Sequence, residues 1–293
     1  ALEKKGVSFL ILNDKDYPKL LAKTDRPPFL LYVKGDKKIL NDKCIAVVGT
    51  RKITQYGEEV TRILTGDLVR VGFTVVSGLA FGVDATSHKT AMEEGGKTIA
   101  VLGCGVDCCT PPSNQALYNS IVKSGGCIIS EYPLSQLPTK GSFPARNRII
   151  AGLSEGVLVT EGAEDSGALI TAEWALKFGR KVFAVPGPIT SSLSKGPYKL
   201  ISRGAKLVTT AQDIINELGN STGYRIKNEE LRIKRGDTKE ENLILKVLEN
   251  EALQFDQIVR LTKLESSQLG SILSLMEIKG LIKNSGDKYS LNL

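Results

Sequence analysis

Apolar residues in this chain come in short unbroken runs, and the stretches between them are amphipathic. The runs are CIAVVG (44–49), FTVVSG (73–78), KTIAVLG (97–103), GCIIS (126–130), GVLVT (156–160) and KVFAVPG (181–187). A strand buried on both faces reads as a continuous apolar run, whereas a half-exposed strand alternates. The intervening YGEEVTRILTGDLVRV and ALITAEWALKFG carry helical periodicity. Strand, Gly-rich turn and helix repeated over residues 44–218 predict an α/β domain with a doubly wound parallel sheet. Ligands of such sheets sit beyond the carboxyl ends of the strands, which is where the Gly-rich turns fall.

The flanks follow other patterns. Residues 1–43 predict a preface packed on the main domain, with a small helix, a Pro-Pro turn and a strand in YPKLLAKTDRPPFLLYVKG. Residues 219–239 are polar and charged without apolar periodicity and read as a linker. In 240–293, EENLILKVLEN and FDQIVRLTK predict two helices, and Ser266 or Ser267 is placed to cap a third that ends at Gly280. LIKNSGDKYSLN then predicts two short strands around a Gly turn. Three helices and a β-ribbon make a small winged-helix domain. Its recognition helix offers Ser, Gln and Glu in place of Arg and Lys, which favours protein contact over duplex DNA binding.

Charge narrows the choice of partner. A net charge of +7 and a pI near 9.0 favour an anion, nucleic acid first and phosphorylated metabolites second. No apolar stretch reaches the ~20 residues that span a bilayer, and the first residues lack a cleavable signal pattern. Five cysteines, an odd number, point to reduced thiols in the cytoplasm. CGVDCC lacks C-x-x-C spacing, so no metal site is expected. His88 is the only histidine. It falls four residues after Asp84, and a helix-packing role outweighs a catalytic pair.

No cofactor is expected. GGKT at 95–98 is not a P-loop: Ala91 stands where the motif needs glycine, and the order is helix, glycines, strand. No Gly-x-Gly-x-x-Gly follows the first run. Three other segments invite an anion. VVGTR ends the first run on Gly49, Thr50 and Arg51, combining close backbone approach, a hydroxyl and a guanidinium fork. After the second run, Ser77, Gly78 and Gly82 form a turn whose amides can face an anion, with Asp84 at the helix start. FPARNR is the densest: Lys140, Arg146 and Arg148 supply charge, Asn147 offers an amide edge and Phe143 a stacking face. Cations beside an aromatic ring are what single-stranded nucleic acid requires. The turn EGAEDSG (161–167) adds Gly162, Ser166 and Gly167 beside acids suited to a ribose, a base edge or a helix cap.

VVGTR, VSGLAFGVDATSH, GCGVD, SEYP, FPARNRIIAGLSEGVLVTEGAEDSGALITAEWAL and VFAVPGPI together resemble the DNA-processing DprA/Smf family, in order from about residue 13 to 215, and the winged-helix tail fits that family. The resemblance implies a bacterial cytoplasmic protein with an extended Rossmann domain that binds single-stranded DNA. It further implies that the protein protects incoming DNA in natural transformation, loads the RecA recombinase on it, works as a homodimer and is not an enzyme. Carried onto this chain, the DNA pocket uses Gly49, Thr50, Arg51, Ser77, Gly78, Lys140, Phe143, Asn147 and the neighbouring Arg146 and Arg148. The sequence departs from the family at CTPPSN (109–114), where many relatives have Tyr-Pro and a basic residue. Members often carry an additional small helical domain ahead of this region. The alternative is a nucleotide enzyme similar to the LOG-type phosphoribohydrolases, in which an arginine and a glutamate, here Glu173, would hydrolyse an N-glycosidic bond. EGAEDSG lacks the double-Gly turn of those enzymes.

Overall fold

The computed structural model describes residues 2, 5–219, 236–248 and 251–291. It divides into two compact units, Ala1–Tyr224 and Arg225–Leu293. Most of the stretch read as a linker, residues 220–235, lies outside the described residues.

In the first unit the six apolar runs become β3 (Cys44–Val48), β4 (Thr74–Ser77), β5 (Thr98–Val101), β6 (Cys127–Ser130), β7 (Gly156–Val159) and β8 (Lys181–Ala184). Every residue of β3 to β7 is buried, the physical counterpart of unbroken apolar runs. They belong to a nine-stranded sheet of order β1-β2-β6-β5-β4-β3-β7-β8-β9. The preface joins that sheet: β1 (Val7–Ile11) and β2 (Leu30–Gly35) pair with each other, and β2 pairs with β6, all antiparallel. The expected small helix is α1 (Lys19–Ala22). A two-residue β9 (Lys206–Leu207), between the helices α7 (Lys195–Ser202) and α8 (Ala211–Glu217), closes the opposite edge, parallel to β8.

The chain runs outward from β3 through α2 (Gln55–Arg70), β4, α3 (Val83–Glu93), β5, α4 (Gln115–Lys123) and β6. It then crosses back through α5 (Ser142–Leu153) to place β7 on the other side of β3. Strand order therefore reverses between β3 and β7, and a crevice opens there beyond the carboxyl ends of the strands. Helix α6 (Gly167–Lys177) follows β7 and packs beside α5.

His88, on α3, is a core residue. Its ring is fully buried, and Nδ1 lies 2.6 Å from the Thr98 hydroxyl, which donates to the Val75 carbonyl at 2.9 Å. Because the Thr98 proton is committed, His88 Nδ1–H is the donor and Nε2 is left without a partner among the described residues. Burial, helped by the charge of Arg146, pushes its pKa down to about 3. An unfolded histidine titrates near 6.5. Between those values the unfolded chain holds a proton that the folded chain refuses. The stabilisation is therefore complete above about pH 6.5 and is lost as pH falls, by roughly 1.4 kcal/mol per pH unit. His88→Asn keeps a donor for Thr98 and cannot charge. Denaturant unfolding followed by Trp174, the only tryptophan, should show wild type losing about 2 kcal/mol more than the variant between pH 7 and 5.

The second unit contains α9 (Lys239–Val247), α10 (Phe255–Thr262) and α11 (Ser266–Ile278), with β10 (Leu253–Gln254), β11 (Ile282–Ser285) and β12 (Lys288–Leu291) in a three-stranded sheet of order β10-β12-β11. This is a winged helix with one strand more than the expected ribbon. Thr238 and Glu241 form a reciprocal capping box on α9. The cap of α11 is Glu265, with no side-chain hydrogen bond, and Ser266 is already the first helical residue. Ile244, Leu245, Ile258, Leu269, Leu273 and Met276 form the core of this unit. Among the exposed residues of α11 are Ser267, Gln268, Ser271, Ser274, Leu275 and Ile278. Lys279, just beyond it, is held at 2.7 Å by both Asp237 and Glu241.

Candidate nucleic-acid interface

A cleft of about 750 Å³ occupies the switch point of the sheet. It is lined by residues 48–51 at the end of β3, Ala80 and Asp84 after β4, the segment from Pro138 into α5, and residues between 163 and 171 leading into α6. Its walls mix apolar side chains (Ile150, Ile170, Pro144) with the charged or polar Arg51, Lys140, Arg146, Asn147 and Thr171.

The floor is built around Arg146, which is 5% exposed. One guanidinium nitrogen, Nη1, donates to the Gly78 carbonyl at 2.7 Å and to the Val101 carbonyl, and Nε donates to Asn147 Oδ1 at 3.1 Å. A Cβ at Gly78 would stand 2.4 Å from that nitrogen, so only glycine lets the guanidinium lie on the turn. Asp84 faces it as counter-charge while Oδ2 accepts from the Gly78 and Ala80 amides at 3.1 and 3.4 Å. Burial raises the Asp84 carboxyl, and Arg146 pulls it back. Burial likewise lowers Arg146, with Asp84 opposing. Asn147 donates to the Gly167 carbonyl at 3.1 Å. Its oxygen is taken by Arg146 and an amide hydrogen by the start of α6, so it ties α5 to α6 and does not present the free amide edge that its sequence suggests.

Arg51 stands on the rim, exposed, and its guanidinium carbon lies 5.6 Å from the centre of the Phe143 ring. It makes no ion pair among the described residues. The loop beneath it is fixed on every side: the Thr50 amide donates to the Glu161 carbonyl at 2.7 Å, Thr50 Oγ1 accepts from the Lys52 amide at 3.1 Å, and the Thr50 carbonyl accepts from the Val83 amide at 3.1 Å. Thr54 caps α2 and also binds the buried Glu161 carboxylate through its amide and hydroxyl, at 3.0 and 2.7 Å. Glu161 is thus a strut between β7 and α2 and offers nothing to a ribose. Lys140 is exposed on a tight turn in which the Ser142 hydroxyl donates to the Thr139 carbonyl at 2.9 Å. An exposed cation is thereby carried on a fixed backbone.

Gly49, Thr50, Arg51, Lys140, Phe143, Arg146 and Asn147 are therefore brought together around one cleft. Ser77 and Gly78 do not line it: Ser77 is buried and donates to the Val47 carbonyl at 2.7 Å, and Gly78 lies beneath Arg146. Arg148 is elsewhere. Two residues on from Arg146 it leaves the helix on another side and pairs with Glu131 at 2.5 Å. Both arginines near the start of α5 thus have partners from other elements, and their placement needs no bound anion. In the acidic turn, Ser166 caps α6 and Glu164 pairs with Lys199 at 3.1 Å. The departure at 109–114 does not line the cleft; Asn114 braces it from behind, donating to the Leu79 and Ala80 carbonyls at 2.9 and 3.3 Å. Glu173 is exposed and lies outside the lining, so the arginine–glutamate pair of the phosphoribohydrolase alternative is not assembled. Thr171, Ile150 and Ile170 are lining residues that the sequence did not single out; their signal was one helix face of α5 or α6, readable only once the crevice was located.

These features define a doubly wound α/β protein with a crevice at its switch point, rimmed by exposed cations and a ring and floored by a buried arginine that faces Asp84. The chain belongs to the DNA recombination-mediator protein A family, the DprA/Smf proteins: that family's model matches residues 8–219, and the DprA winged helix domain matches residues 230–288. It is 43% identical over 219 residues to the DNA processing protein DprA of Bacillus subtilis, covering 74% of this chain and 73% of that one. It is 36% identical over 323 residues to the Synechocystis protein Smf, covering 98% and 81%. Among solved structures, DNA processing protein A from Streptococcus pneumoniae matches with a TM-score of 0.69 and 42% identity over 73% of this chain and 76% of that one. The Helicobacter pylori protein, solved for its single-stranded DNA binding mode, matches with a TM-score of 0.65 and 33% identity over 72% and 95%.

Proposed function

We propose that the switch-point cleft binds single-stranded DNA with little regard to sequence, through Arg51 and Lys140 on phosphates and Phe143 under a base. The observation that carries this reading is the Arg51–Phe143 contact at the rim of the cleft, an exposed cation beside a half-buried ring that lines the cleft. Thr50 and Gly49 line the approach; Arg146, Asn147 and Gly78 hold the floor; Arg148 takes no part. The DNA-binding relative and the family's role in recombination support extending the reading. The protein then acts in the cytoplasm as a homodimer that protects incoming single strands during transformation and loads RecA on them, without catalysis or cofactor. The winged helix, whose recognition helix exposes serines and apolar residues, contacts protein.

Titration of a fluorescent oligothymidylate tests the assignment. Arg51→Ala should weaken binding at least tenfold at low salt and reduce the magnitude of the salt slope by about 0.7, one phosphate contact on a single strand. Arg148→Met should bind as wild type does. Equal binding by wild type and Arg51→Ala, or loss confined to Arg148→Met, would refute it.

A further inference from the structure

The turn between β4 and α3, residues 78–82, is held from several directions. The Asp84 carboxylate takes its Gly78 and Ala80 amides, and Asn114 donates to its Leu79 and Ala80 carbonyls. Leu79 is fully buried although its φ is +58°, and Arg146 lies on Gly78. At the far end, Gly82 has φ +67°, and a Cβ there would come within 2.3 Å of the Thr50 carbonyl and 2.9 Å of the Arg51 carbonyl. The turn is therefore pressed against the backbone that carries Arg51.

One large side chain on this rigid turn stays substantially exposed. Phe81 is 47% exposed, between Ala80, which lines the cleft, and Gly82, which touches Arg51. A single exposed phenylalanine needs no explanation by itself. This one stands on an immobilised backbone, next to the glycine that packs on the Thr50–Arg51 backbone, and the Arg51 guanidinium faces the Phe143 ring. Two exposed rings near one phosphate-binding cation can take two unstacked bases of one strand, because every base has a face to stack and a duplex cannot offer one.

We infer that Phe81 is a second stacking platform at the edge of the cleft, receiving the base next to the one on Phe143. This rests on the reading of the cleft as a single-strand site, and it adds a contact that sets strand path and the preference for unpaired DNA. A rigid platform loses little entropy when a base settles on it, which is where its affinity comes from.

The test uses the full chain with Phe81→Ala, Phe81→Leu and Phe81→Trp, after denaturant unfolding has confirmed that each is as stable as wild type. The probes are a short oligothymidylate, an abasic strand of the same length and a duplex. Phe81→Ala and Phe81→Leu should bind oligothymidylate at least about fivefold more weakly, the lower end of what one stacked base contributes. Both should match wild type on the abasic strand and on duplex. Phe81→Trp should retain affinity and show fluorescence quenching by oligothymidylate beyond that of Trp174 in wild type. If Phe81→Ala binds as wild type and Phe81→Trp is not quenched while Arg51→Ala still loses binding, the second platform is refuted and the cleft reading stands. If wild type fails to bind oligothymidylate at all, the cleft reading fails and the platform with it.

Discussion

Replacing Arg146 with methionine is expected to lower the stability of the α/β unit by about 3–5 kcal/mol, the cost of breaking a buried charged network from one side. The size follows from what is left behind. Asp84 loses its counter-charge in a site only 7% exposed, and the Gly78 and Val101 carbonyls lose their donor. Buried groups stripped of partners keep the whole penalty of having left water. Methionine fills most of the volume, so the deficit is electrostatic rather than a cavity. Trp174 sits on α6 in the same unit, so its fluorescence during urea unfolding reports this unit. A loss below about 1 kcal/mol would mean that Arg146 is a binding group merely resting on the floor. Asp84→Asn in the Arg146→Met background should restore part of the loss, because it removes the uncompensated charge.

The second large effect is on binding. Phe143→Ala should weaken the complex with oligothymidylate by about 1–3 kcal/mol, the range for one stacked base. The ring also orients Arg51 by lying 5.6 Å from its guanidinium, and a cation over a ring is worth ~0.5–1 kcal/mol at an exposed site. Combining Phe143→Ala with Arg51→Ala should therefore cost less than the sum of the two, with a coupling of about 0.5 kcal/mol or more. Strict additivity would say that the two groups meet the strand separately. Binding isotherms of the four proteins of this cycle supply the measurement.

Much of the fold is legible in the chain because burial on both faces leaves an unmistakable run: CIAVV and CIIS have no polar residue to place outward except at their ends. The strands that escape notice are those where that logic is weak. β1, at the sheet edge, buries only Val7 and Leu10 of its five residues, and β9 is two exposed residues long. The site is legible as composition and less so as geometry. Lys140, Phe143, Arg146, Asn147 and Arg148 announce a nucleic-acid patch together, yet which of them is free depends on partners far away in the chain. Arg146 is taken up by carbonyls 68 and 45 residues away, Arg148 by Glu131, and Asn147 by Gly167. Cation count cannot separate a phosphate ligand from a brace. Arg51 differs because the loop is fixed through the neighbouring Thr50, bonded to Glu161 and Val83, and the Arg51 side chain stays exposed with no ion pair among the described residues. The turn carries two large apolar residues, Leu79 and Phe81, and the sequence alone does not tell which is buried: Leu79 goes into the core and Phe81 stays 47% exposed.

The most direct test is to locate the base. Oligothymidylate carrying 5-iododeoxyuridine, irradiated on the protein at low salt and followed by peptide mapping, should crosslink to Phe143 within residues 141–148, and the crosslink should vanish in Phe143→Ala. Crosslinks confined to the winged-helix residues 236–291, with none around the cleft, would contradict the account.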